Sequence, residues 1–292
     1  RDRIASLAPS GRSHFGSRHR VRGIDVTSVN GGSSKFSGIC ALDGKVYAAP
    51  CDSHKMLEYD PSSTQEPCSL KLTCSRPLHC RTTRMGCGSS KYHAAQADET
   101  RDRVRGIDVT SVYRGSSKFH GICALDGKVY AAPCKSDKML EYDPSSDRVR
   151  GIDSTSVHAV SSKFHGICAL DGKVYAAPCN SLNMLEYDPS SDRVRGITWT
   201  SAHLGFLLFS SKFSGMCALD GKVYAAPCDS DKMLEYDPFL DRVRGIDVTS
   251  VAKGPEMFRG ICALGGKVYA APHNSDKLLE INRAQYELGT DI

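Results

Sequence analysis

One pattern of apolar and polar positions recurs five times along the chain. Its fullest copy reads Phe119-His-Gly-Ile-Cys-Ala-Leu-Asp-Gly-Lys-Val-Tyr-Ala-Ala-Pro-Cys134 and continues through Met139-Leu-Glu-Tyr-Asp-Pro144; nearly the same words begin at Phe36, Phe164, Phe213 and Phe258. Asp126-Gly127 separates two almost continuously apolar runs, and Asp-Gly is the strongest short signal for a two-residue hairpin turn with positive φ at both positions. The runs Gly121–Leu125 and Val129–Ala132 are therefore read as paired strands covered on both faces. Pro133 ends the second, because proline cannot donate a ladder hydrogen bond. After a polar loop at 134–138 comes a third strand, Met139–Asp143. A turn at Pro144-Ser-Ser-Asp147 leads to a fourth strand, Arg148–Ser156, with Val149, Ile152 and Thr155 as its β-branched residues. Folding the third strand onto the fourth sets Asp143 opposite Arg148, Tyr142 opposite Val149 and Glu141 opposite Arg150. Such cross-strand pairs contribute about 0.2–1 kcal/mol each and fix register more than stability. In the first hairpin, Cys123 falls opposite Tyr130 and Cys134 opposite Phe119.

Four short strands per unit, repeated at intervals of about 45 residues between Phe119 and Phe164 and between Phe213 and Phe258, are the signature of propeller blades. A lone four-stranded sheet cannot cover both of its faces, whereas stacked copies can. The interval from Phe164 to Phe213 is slightly longer, and that from Phe36 to Phe119 is nearly doubled by an insertion at 64–101. The chain has a fourth-strand word with no blade before it, Val21-Arg-Gly-Ile-Asp-Val-Thr27, and its last copy stops at a third strand, Leu278-Leu-Glu-Ile281. The two deficits are complementary. The expected fold is all-β: a five-bladed β-propeller of four-stranded blades, its ring closed by the N-terminal strand completing the C-terminal blade, which leaves no exposed sheet edge. Residues 1–19 form a basic, Ser- and Arg-rich tail, and 20–292 form the single propeller.

The Asp-Gly-Lys-Val-Tyr core followed by Leu-Glu-Tyr-Asp-Pro resembles the repeats of kelch-like and related short-blade propellers. Gly265-Gly266 matches the kelch glycine pair, and Trp199 is the single tryptophan. The blade count and short repeats are also similar to tachylectin-type lectin propellers, and repetitive propellers of unicellular algae look similar. The resemblance covers about residues 20–61 and 102–282. It implies the fold, with no sugar-binding residue carried over.

Composition changes this picture little. At 40% hydrophobic and 24% charged residues, the 292-residue chain is ordinary for a globular protein, and no apolar run is long enough to span a membrane. The net charge of +5 is concentrated in the N-terminal tail and the insertion, while the repeats are slightly acidic, which argues against a nucleic-acid-binding face. The tail resembles the remnant of a cleaved organelle-targeting peptide of the plastid kind. Nine of the 13 cysteines belong to the repeats, too far apart within a blade to bridge, and free thiols point to an intracellular, reducing compartment. The first-strand cysteines are read as packing residues; a thiol ring with His273 around one channel mouth is the sharper reading. Cys68, Cys74, Cys80 and Cys87, with His79 and His93 nearby, are spaced more widely than a usual zinc knuckle, so the insertion reads first as a poorly ordered excursion rich in Ser, Thr and Arg, with structural zinc or a disulfide-stapled loop as the alternatives; no other cofactor is expected.

The sequence is compatible with three functions. The first is a monomeric, noncatalytic binding scaffold that docks a protein partner through its variable-loop face, above all through the apolar crossover Leu204, Phe206, Leu207, Leu208 and Phe209. The second is a multivalent lectin-like binder of carbohydrate or another small polar ligand. It would use the second-to-third loops, with Asp52, Asn180, Asp229 and Asn274, together with His120 and His165 near the mouth. The third is a metal-dependent enzyme at the channel mouth. Phosphate-binding loops, zincin motifs and nucleophile elbows are all missing from the sequence.

Overall fold

The computed structural model describes residues 24–31, 33–62, 104–158, 162–199 and 211–282, and among these every regular element is a strand. The first antiparallel sheet is β1 (Phe36–Leu42), β2 (Lys45–Pro50), β3 (Lys55–Tyr59) and β4 (Val104–Asp108), paired in that order. The second is β5 (Phe119–Leu125), β6 (Lys128–Pro133), β7 (Lys138–Asp143) and β8 (Arg148–Asp153). The third is β9 (Phe164–Leu170), β10 (Lys173–Pro178), β11 (Asn183–Asp188) and β12 (Arg193–Thr198); the fourth is β13 (Phe213–Leu219), β14 (Lys222–Pro227), β15 (Lys232–Asp237) and β16 (Arg242–Asp247). The fifth holds β17 (Phe258–Leu264), β18 (Lys267–Pro272) and β19 (Leu279–Asn282).

The register of the third and fourth strands is the one expected, with Asp143 opposite Arg148, Tyr142 opposite Val149 and Glu141 opposite Arg150. Asp126 and Gly127 both take positive φ, 47° and 74°, as their hairpin turn requires. Two details differ from expectation. Phe119 faces Pro133 and not Cys134, because a bulge at Gly121, φ +81°, slips the pairing by one residue. The fourth strand ends at Asp153, where the Asp153 carboxylate accepts the Thr155 N–H at 2.9 Å and turns the chain away. In the first sheet Tyr59 pairs with Val104 just as Tyr142 pairs with Val149, so the inserted segment leaves and returns at a single hairpin end.

The core lies between sheets. Tyr47, Ala49, Met56, Ile107 and Val109 of the first sheet meet Phe119, Ile122, Val129, Leu140 and Tyr142 of the second, and equivalent sets meet at the next three interfaces. Most of these side chains are fully buried, the large aliphatic and phenylalanine ones contributing about 1.5–3 kcal/mol each of transfer free energy. A polar clamp crosses the same interfaces. Arg150 donates to Glu141 of its own sheet at 2.9 Å, to the Tyr187 hydroxyl of the next at 2.6 Å and to Asp192 at 3.0 Å, while Tyr187 donates to Asp192 at 2.8 Å. Arg105 and Arg195 do the same one interface earlier and later. Arg244 keeps its Glu235 pair, but Ile281 replaces the tyrosine, and the buried Arg244 Nε has no partner among the described residues.

Ring closure by the N-terminal strand is not seen among the described residues. The fifth sheet has three strands, Ile24–Val26 pair with none, and β1 and β17 do not pack on each other as the other neighbouring inner strands do. Ile39 is 69% and Leu264 71% exposed, whereas Ile122 and Ile167 are buried. Ile24 and Val26 nevertheless lie against Val29, Ala48 and Leu57, on the face of the first sheet that a preceding blade would cover.

Candidate functional site

The inner strands approach one another closely. A Cβ added to Gly121 would lie 2.9 Å from the Gly166 Cα, so only glycine with its positive φ allows β5 and β9 to meet this way. At the end of each hairpin one residue staples neighbouring sheets. The Cys134 N–H donates to the Lys118 carbonyl of its own sheet, and its carbonyl accepts the Lys163 N–H of the next, at 2.9 and 3.1 Å. Cys51, Cys179 and Cys228 repeat this, and His273, in the last sheet, keeps the first bond.

The residue before each inner glycine occupies the same strand position in every sheet. It is Ser37, His120, His165, Ser214 and Arg259 in the five sheets. His120 and His165 stack face to face, with centroids 4.2 Å apart and planes 6° from parallel. The Cys134 Sγ is 3.6 Å from His165 Nε2, Cys51 Sγ is 3.8 Å from His120 Nε2, and Ser37 Oγ is 3.3 Å from His120 Nδ1. One donor atom from each of His120, Cys134 and His165 lies within 4.8 Å of the others.

Burial dominates the electrostatics here. It pushes His165 down to about 3, helped by His120 and Arg259, and it lowers His120 against the opposing pull of Asp52. It raises the Cys134 thiol to about 11. The pair is therefore neutral imidazole beside neutral thiol at physiological pH. Neutral imidazoles and a displaceable thiol proton are what a metal requires of its ligands.

No protein-family model matches the chain, and no curated protein matches it. Solved structures do. A catalytically inactive variant of virginiamycin B lyase from Staphylococcus aureus, crystallised with quinupristin, superposes with a TM-score of 0.55 at 9% identity, covering 81% of this chain and 62% of that one. The nidogen/laminin complex matches with a TM-score of 0.51 at 10% identity over 86% and 76% of the two chains, and the RRP9 WD40 repeats with 0.53 at 8% over 83% and 58%. By fold, this chain belongs with the β-propellers. It spans less than two thirds of the length of the first of these relatives.

On this propeller the remaining expected site residues separate into two groups. Asp52 accepts the Ser117 N–H at 2.8 Å and Asp229 the Glu256 N–H at 2.7 Å, so both carboxylates brace the following blade. Asn274 donates to the Pro255 carbonyl at 3.3 Å, and Asn180 sits 3.9 Å from Cys179 Sγ. These four take part in loop contacts, and Asp52 also lies close enough to His120 to act on its charge. Leu204, Phe206, Leu207, Leu208 and Phe209, and Cys68, Cys74, Cys80 and Cys87, lie outside the described residues. The nine described cysteines are free.

One feature stands out only in three dimensions. The β15–β16 turn carries Phe239 and Leu240 where the copies carry Ser145-Ser146 and Ser190-Ser191; they are 94% and 61% exposed. Its backbone is that of the other turns: Asp237 accepts the Phe239 N–H at 3.1 Å, and Asp241 takes φ +48° as Asp192 takes +52°.

Proposed function

We propose that this propeller is a noncatalytic binding scaffold that docks a protein partner through side chains the repeat itself does not need. The observation that carries the reading is the Phe239-Leu240 tip. The same turn forms with serines elsewhere, so folding does not call for two apolar side chains in water there. An aromatic and an aliphatic side by side on a rigid hairpin are the usual anchors of a protein interface. The apolar crossover Leu204–Phe209 belongs to the same reading as a second docking element. The repeated carboxylates Glu58, Glu141, Glu186 and Glu235 each serve ion pairs, which favours a scaffold over acid–base chemistry. Asp52 and Asp229, occupied in bracing loops, give the lectin-like alternative little to work with. Nine free thiols favour a reducing compartment.

The reading takes the five sheets as one closed ring in solution. The support is complementarity. The uncovered face of the last sheet carries Cys262, Tyr269 and Leu278, copies of residues that dock onto the next blade elsewhere, and the uncovered face of the first carries Phe36, Ile39 and Leu57, copies of those that receive them. The docking test compares partners captured by crosslinking with the intact chain, with Phe239→Ser/Leu240→Ser, and with a Gly-Ser replacement of 204–209. The same partner recovered equally by all three overturns the docking proposal.

A further inference from the structure

From the stacked histidines and the thiol beside them we infer that His120, His165 and Cys134 form a binding site for a thiophilic divalent metal of the zinc class, with three protein ligands and an exchangeable fourth position. The inference goes beyond the docking reading and does not depend on it.

The first argument is placement. His120 and His165 occupy the same position in adjacent blades, brought together by the contact between Gly121 and Gly166, and Cys134 arrives from the hairpin end that staples those blades. The fold itself does not ask for histidine there, because the first and fourth blades hold Ser37 and Ser214 at that position. The second argument is distance. Zinc bonds of about 2.3 Å to sulfur and 2.0–2.1 Å to nitrogen, at tetrahedral angles, set ligand atoms about 3.3–3.6 Å apart. Cys134 Sγ and His165 Nε2 already stand at 3.6 Å, and all three donors lie within 4.8 Å. Tilting the stacked rings inward closes the remaining separation of about 1 Å. The third is donor chemistry. Two imidazoles and one thiolate suit zinc and copper and do not suit magnesium or calcium. The metal displaces the Cys134 proton to solvent on binding, so that the S–H bond is exchanged for a metal–sulfur bond. Arg259 opposes positive charge near the rings, and its 2.8 Å pairing with Glu256 offsets part of that opposition. Cys51, 3.8 Å from His120 Nε2 but outside the group of three, flanks the site.

The test uses the full reduced chain stripped of metal, titrated with Co²⁺ followed by absorption and with Zn²⁺ followed by calorimetry. A variant with Cys68, Cys74, Cys80 and Cys87 all changed to serine removes the other cysteine cluster. That variant is expected to bind one Co²⁺ with a thiolate-to-cobalt charge-transfer band. Cys134→Ser on the same background is expected to lose the band. His120→Ser/His165→Ser, which copies the first and fourth blades and should melt like the parent, is expected to weaken Zn²⁺ binding by more than the roughly 10–100-fold typical of losing an outer-shell partner. Absence of the band in the four-cysteine variant, or unchanged zinc affinity in the double histidine variant, overturns the inference.

Discussion

Gly121 shows what a single residue contributes at the axis. Its φ of +81° strains any side chain, and a Cβ would press on the backbone of the neighbouring blade at 2.9 Å. Gly121→Ala is expected to cost more than about 2 kcal/mol, against about 1 kcal/mol for Gly127→Ala, which has the same sign of φ but open space around it; urea denaturation of the two variants measures the difference. Asp192 offers a second case. The Tyr187 hydroxyl and then Arg150 hold its carboxyl below the usual 3.8. A carboxylate lowered on folding contributes stability above its unfolded value, and that contribution is lost as pH falls through the folded value. Tyr187→Phe should therefore raise the Asp192 value toward 3.8, read by NMR titration, and shrink the stability Asp192 adds near neutral pH, so that the variant loses less on acidification than the parent. The tyrosine is fully buried and its ring packs on Tyr130 of the preceding blade at 6.0 Å. Nothing in the cross-strand pattern announces this link, because its partners sit in two sheets.

Strands and turns were the most legible level. The Asp-Gly turn, the proline stop and the charge pairing of third on fourth strand followed from local chemistry, since each depends on residues only a few positions apart. The bulge that moves Phe119 opposite Pro133 was not legible: Gly121 reads as an ordinary strand residue until the next blade presses against it. The exposure of Phe239 and Leu240 required coordinates, because an apolar pair at a turn can equally well be tucked under a neighbouring blade. Phe239→Ser/Leu240→Ser is expected to change the unfolding free energy by no more than a neutral surface substitution, about ±0.5 kcal/mol, while removing the crosslinked partner. A large loss of stability would mean that the tip packs within the fold.

At the scale of the whole molecule, the first and fifth sheets each carry a free apolar face. Ile39 is 69% exposed and its copy Ile122 is buried. A closed ring makes them equivalent, so Ile39→Ser is expected to cost about as much as Ile122→Ser, about 2–4 kcal/mol. A loss below about 0.5 kcal/mol for Ile39→Ser alone, measured by chemical denaturation, argues for an open array. The N-terminal segment is already half engaged, with Ile24 and Val26 resting on the first sheet where a fourth strand would lie. Among the described residues it pairs with no strand.

Taken alone, the amino-acid order determined the repeat, the four-strand unit, its turns and the pairing of the third strand on the fourth, because those rest on alternation, turn geometry and charges close together in the chain. Only the tertiary structure decided that His120, His165 and Cys134 converge, that Asp52 and Asp229 serve as braces, and that Arg150 bridges two blades. These contacts join residues tens of positions apart, and they depend on how closely glycine lets one blade lie against the next.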